Sequence, residues 1–116
     1  MQTISETKRY VFDLDNTLCL TLKNQDGTWN YADSKPIHER INLVNDLYES
    51  GNIIIIETAR GSFSKTDWYE FTFNQLKSFG LNFHQLRSGV KFSADYFIDD
   101  KAINSEDFFS SGDRIF

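Results

Sequence analysis

The chain is short of several things, and each shortage narrows what it can be. It has one cysteine, Cys19, so no disulfide can form within it. A lone cysteine reads either as a small apolar packing group or as a reactive thiol, and packing is the expectation here. No apolar run approaches the length needed to cross a bilayer, so no membrane association is expected. Residues 1–8 are polar and lack the apolar block of a secretory leader, which points to a cytoplasmic protein. Positive charge is scarce too: 12 Lys and Arg stand against 17 Asp and Glu, for a net charge of −5. Binding to a phosphate backbone is driven by basic side chains that displace counterions, so nucleic acid is a disfavoured partner. With no repeat, low-complexity tract or linker, a single domain over residues 1–116 is expected.

What the chain does have is apolar mass. Hydrophobic residues make up 40% and there are 11 Phe, enough for one core. The stretch Tyr10-Val11-Phe12 reads as a strand. The only proline, Pro36, suits the first turn of a helix whose apolar positions Ile37, Ile41, Val44 and Tyr48 recur at helical spacing, with Gly51 as its C-terminal cap. Ile53-Ile54-Ile55-Ile56 is an unbroken β-branched run, which suits a strand covered on both faces of a parallel sheet. Thr66 and Asp67 can cap a second helix that buries Trp68, Phe73, Leu76 and Phe79 and ends at Gly80. A short strand is expected near residues 82–86, and another at Tyr96-Phe97-Ile98. Residues 101–116 are too mixed to assign. The order strand, helix, strand, helix, strand predicts an α/β fold: a Rossmann-like three-layer sandwich with a mainly parallel sheet and its ligand site beyond the carboxyl ends of the strands.

That edge carries the chemistry. The first strand runs into Asp13-Leu14-Asp15. Side chains alternate along a strand, so Asp13 and Asp15 would start on the same side. Two adjacent carboxylates resist joint ionisation, and a divalent cation is the usual remedy. Taken alone, the spacing equally fits two solvated loop acids. The isoleucine strand, however, ends in Glu57-Thr58-Ala59-Arg60, the last strand ends in Asp99-Asp100, and Lys91 lies shortly before it. Together these offer acids for a metal, a hydroxyl and a fixed positive charge.

The ordered set resembles the haloacid dehalogenase-like (HAD) superfamily of phosphatases. Its DxDx[TV] motif matches Asp13-Leu14-Asp15-Asn16-Thr17, its second motif Thr58, its third Lys91, and its acidic pair Asp99-Asp100. A finer likeness is to short members associated with capsule or surface-polysaccharide biosynthesis. It rests on Pro36-Ile37, Thr58-Ala59-Arg60-Gly61 and Ala94-Asp95-Tyr96-Phe97-Ile98-Asp99-Asp100-Lys101-Ala102-Ile103. Those relatives often carry Gly-Lys-Pro at the third motif, where this chain has Val90-Lys91-Phe92.

The resemblance implies a Mg²⁺-dependent phosphomonoester hydrolase with an aspartyl-phosphate intermediate. Asp13 would be the nucleophile and Asp15 the proton carrier. Thr58 and Lys91 would contact the phosphoryl group. Asp13, Asp15, Asp99 and Asp100 would form the metal site. Residues 18–35 are long enough only for a β-hairpin flap, so a capless core is expected, open to a bulky substrate or closed by a second copy in a homo-oligomer. Arg60, Lys65, His84 and Arg87 lie in connecting segments that could line the entrance, with Arg60 counted among the substrate-binding residues. The expected substrate is a small phosphorylated metabolite such as a sugar phosphate. A nucleic-acid end phosphatase and a non-catalytic binding module of the same fold are the alternatives.

Overall fold

The structure is a computed structural model that describes residues 6–62 and 66–110. Strand β1 (Arg9–Phe12) is followed by a short strand β2 (Cys19–Leu20), a turn of 3-10 helix (Tyr31–Asp33) and strand β3 (Lys35–Pro36). Helix α1 (His38–Glu49), strand β4 (Ile53–Thr58), helix α2 (Tyr69–Ser78), strand β5 (Gln85–Ser88) and helix α3 (Ser105–Ser110) complete the order. The main sheet is parallel, three-stranded and ordered β1-β4-β5. The α/β class and the parallel sheet are therefore as expected. Among the described residues no helix is long and apolar enough to cross a membrane.

The sheet is covered more fully on one face than on the other. Tyr10, Phe12, Ile54, Ile56 and Leu86 share one face through the strand register, and all but the half-buried Tyr10 are buried. Ile41 and Val44 from α1, Leu76 from α2, and Phe108 from α3 join them in one core cluster. Side chains of period two put Val11, Ile53, Ile55 and Glu57 on the opposite face. There Val11 is 58% exposed and the two isoleucines are only half-buried. Among the described residues the second face of the isoleucine run is thus only partly covered, less than its unbroken β-branched pattern suggests.

Two helix boundaries also move. Pro36 does not open α1; it pairs with Cys19 in the small antiparallel sheet β2-β3, and Ile37 is the N-cap. That sheet, extended by the bridge between Lys23 and Trp29, is the expected flap. At α2 the carboxylate of Asp67 accepts from the Tyr69 N–H at 3.0 Å, so Asp67 serves the helix start although Trp68 occupies the cap position. Leu76 is buried as expected, while Phe73 and Phe79 pack at the core margin.

The expected strand at Tyr96-Phe97-Ile98 does not form. Residues 89–104 have no helix or strand, and every residue from 92 to 104 is exposed. The chain regains structure only at α3, where Phe108 packs edge-on against Tyr10 and Phe12.

Candidate active site

Asp13 leaves the end of β1, and the chain then turns sharply. The Leu14 carbonyl accepts from the N–H groups of Thr17 and Leu18, at 3.1 and 2.8 Å. Asn16 takes a φ of 61°, a left-handed conformation that asparagine tolerates better than most residues. The turn sends the two acids to different partners. Asp13 Oδ1 accepts from Lys91 Nζ at 2.8 Å, and its Oδ2 accepts from the Thr17 hydroxyl at 2.9 Å. Asp15 turns inward to Arg60. Instead of one cation shared between two carboxylates, each acid has its own fixed cation within the chain.

Arg60 is the most committed side chain of the site. Its guanidinium is wholly buried, while the Asp15 side chain is 20% exposed. Nε donates to Asp15 Oδ2 at 3.0 Å and Nη2 to Asp15 Oδ1 at 2.8 Å, a fork matched to both carboxylate oxygens. Nη2 also reaches the Ser34 hydroxyl at 3.3 Å, and Nη1 donates to Thr72 Oγ1 at 3.2 Å and Gln75 Oε1 at 2.7 Å. A guanidinium has five N–H donors, and these five bonds match that number. The Tyr31 ring lies against the guanidinium, with the central carbon 4.5 Å from the ring centroid. Arg60 is therefore not an entrance residue. With its donors engaged and its surface buried, it has nothing left to offer a substrate.

The flap completes the setting of Asp15. Thr21 donates from its hydroxyl to Asp15 Oδ1 at 2.6 Å and is linked at 2.7 Å to the Ser34 hydroxyl. Cys19 is buried beside them. Loss of hydration on burial, reinforced by the Asp15 charge, raises its thiol above the usual value of 9.0. Burial likewise raises the Tyr31 phenol above 10.0. Thr21, Tyr31, Ser34, Thr72 and Gln75 all escaped the sequence reading. The available signal was on α2: Thr72 falls one turn before Leu76, a polar residue on the buried face that needs a buried partner.

A pair of loops delivers Lys91. Gly61 and Gly89 face each other so closely that a Cβ on Gly61 would lie 3.2 Å from the Thr66 carbonyl oxygen and 3.8 Å from the Gly89 Cα. The Ser88 hydroxyl donates to the Arg60 carbonyl at 3.1 Å, and the Ser62 hydroxyl donates to the Lys91 carbonyl. The Lys91 ammonium also lies 5.2 Å from the Phe97 ring centroid.

The other expected residues fall elsewhere. Thr58 is buried, and its hydroxyl accepts from the Arg60 N–H at 3.2 Å. His84 serves the opposite end of the sheet, where Nδ1 accepts from the Ile54 N–H at 3.0 Å and the ring stacks on Tyr48. Arg87 pairs with Glu57 at 3.3 Å. Lys65 lies outside the described residues. Asp99 and Asp100 are exposed; the Lys101 N–H donates to Asp99 at 3.1 Å and is the main cause that lowers its acidity range below the usual 3.8. Neither is joined to Asp13 or Asp15. Among the described residues no group of three or more His, Cys, Asp or Glu side chains could hold a metal ion. The acids brought together among the described residues of one copy therefore do not fit the expected Mg²⁺.

No family model and no curated protein matches the chain. A crystal structure does: a structural-genomics target from Vibrio cholerae, 22% identical, with a TM-score of 0.73 over 90% of this chain and 89% of that one. The two chains share a fold. At this identity the likeness extends to the arrangement of the backbone and carries no chemistry.

Proposed function

We propose that the chain is a phosphoric monoester hydrolase of the HAD-like type that works through an aspartyl-phosphate, on a small phosphorylated metabolite such as a sugar phosphate. The observation that supports the reading most is the 2.8 Å contact between Lys91 and Asp13, 78 positions apart, with Asp15 fixed two residues away. In this reading an Asp13 oxygen attacks phosphorus and the bond to the leaving oxygen breaks. A carboxylate needs no deprotonation for this at pH 7. Thr17 and Lys91 aim the carboxylate, whose side chain is 38% exposed, and Lys91 offsets charge that gathers as the phosphoryl group transfers. Asp15 is the proton carrier that the resemblance assigns, held in one orientation by Arg60 and Thr21. Water then releases phosphate from Asp13.

Hydrolysis of an aryl phosphate and of a panel of sugar phosphates by pure protein supplied with Mg²⁺ is the test. Asp13→Asn is expected to lower the rate by roughly 10⁴-fold or more, as removal of a nucleophile does elsewhere. Chelation with EDTA tests the Mg²⁺ that the resemblance implies. Absence of phosphate release from every ester would sink the reading. One observation favours a second reading, a non-catalytic binding module: both Asp15 oxygens are already taken by Arg60, as in a purely structural ion pair. Wild-type protein without hydrolysis, and one stable partner in a pull-down, would decide for it.

A further inference from the structure

The geometry points to a site completed by a second copy of the chain: Tyr96-Phe97-Ile98 of one copy adds as a strand beside β1 of the other and brings Asp99 and Asp100 to its Asp13. The metal-site and catalytic part of this rests on the phosphatase reading; the strand exchange does not. Four observations carry it. Residues 96–98 are apolar and strand-forming, yet Tyr96 is 85% and Ile98 98% exposed, with Val90, Phe92 and Ile103 also exposed nearby. A contiguous apolar segment left in water marks a missing partner.

The second observation is the edge that could receive it. The Ile53 N–H donates to the Lys8 carbonyl at 2.9 Å, so Lys8, Tyr10 and Phe12 turn their backbone groups toward β4. By alternation Arg9 and Val11 turn theirs outward, to the side of β1 that pairs with no other strand among the described residues. A strand added there in parallel would end where β1 ends, with Asp99 next to Asp13. The alternative edge, beyond β5, would place the acids three strand spacings away from β1, about 14 Å, too far for carboxylates that would share one Mg²⁺, which takes oxygen ligands at about 2.1 Å.

Third, the chain's own segment cannot make this pairing. Parallel neighbours need a crossover of about a dozen residues or more, and only residues 89–95 separate β5 from Tyr96. Lys91 is pinned at the carboxyl end of β1 by Asp13, which leaves residues 92–95 to run back along the sheet and reverse. The five links from Lys91 to Tyr96 span at most about 17 Å when fully extended, and a return from the level of Asp13 to that of Tyr10 takes about 10 Å, leaving about 7 Å for a complete reversal and a sideways step of one strand spacing, less than a turn needs. The same short connection reaches outward to a neighbour without difficulty, and short hinges are where strand exchange arises. Fourth, among the described residues of one copy no group of three or more His, Cys, Asp or Glu could hold a cation, and the exchange adds two carboxylates beside Asp13.

Light scattering at tens of micromolar, with an Ile98→Asp variant, tests the exchange. A dimer or larger even-numbered assembly is expected for the wild type and a monomer for the variant, which should stay folded because Ile98 is exposed within its own copy. A monomeric wild type, or an Ile98→Asp protein that associates as the wild type does, would overturn it. The shared site is tested by coexpressing Asp13→Asn chains with Asp99→Asn/Asp100→Asn chains. Half of the dimers would be mixed and each would hold one intact site of two, so about one quarter of wild-type activity should return. If the wild type is active and the mixture stays inactive, the shared site is refuted. If Ile98→Asp dissociates the assembly and the wild type hydrolyses nothing, the exchange stands and the phosphatase reading falls.

Discussion

The two ends of this molecule's chemistry are organised in opposite ways. Around Asp15 every polar atom is spoken for: the Arg60 fork, the Thr21 and Ser34 hydroxyls, and Thr72 and Gln75 from α2 lock one carboxylate inside the core margin. Residues 92–104 are all exposed, and they carry Tyr96, Phe97, Ile98 and the acids Asp99 and Asp100 with them. One region is satisfied within a single copy and the other is not. Groups buried together report what the chain needs to fold, whereas apolar groups stranded in water report what it needs to meet.

The largest effect that would test this contrast is at Arg60. Arg60→Met removes the cation from a carboxylate that stays largely buried, and losing one partner of such a pair is expected to destabilise by about 3–5 kcal/mol in urea unfolding. A loss below about 1 kcal/mol, the range of surface pairs, would mean that Asp15 escapes to water and the locked region is not locked.

Next comes the core itself. Leu76→Ala, at a fully buried position, is expected to cost about 2–5 kcal/mol. Ile98→Ala, made in protein dilute enough to be monomeric, should stay within about 0.5 kcal/mol, as exposed substitutions do. Raising the protein concentration should widen the Ile98→Ala deficit and leave that of Leu76→Ala unchanged, because only the first would weaken an association.

The smallest effect is a titration. Burial raises the Cys19 thiol above 9.0, so the unfolded chain loses this proton before the folded one does. The stability that Cys19 contributes is therefore whole below pH 9.0 and falls as pH rises through the higher folded value. A thiol reagent at pH 8 should label unfolded protein quickly and native protein slowly. Equal labelling rates would show that the Cys19 pocket opens readily.

Much of the site was legible before any coordinates. Asp13 and Lys91 were placed in one site by the order of the motifs that the resemblance rests on, and their direct contact is what the structure adds. The role of Arg60 was not legible. A charged residue after a strand is most often solvated, and nothing local reveals that the Thr72 and Gln75 side chains, 12 and 15 positions on, wait to receive it. Likewise Ile53-Ile54-Ile55-Ile56 announces a buried strand but not that one of its faces lies only half-covered.

By itself the sequence determined β1, β4, α1 and α2: β-branched and aromatic runs make the two strands, helical spacing of apolar residues makes the two helices, and polar or acidic residues follow the strand ends. These are local choices, set by side-chain shape and periodicity over a few residues. The tertiary structure alone decided which acid meets which cation, because a turn at Asn16 and the packing of α2 against the flap send Asp13 and Asp15 apart. It also decided that Tyr96-Phe97-Ile98, a strand by composition, finds no place in its own sheet. Composition sets what a segment could pair with, but the length of the connection and the position of Lys91 set what it can reach.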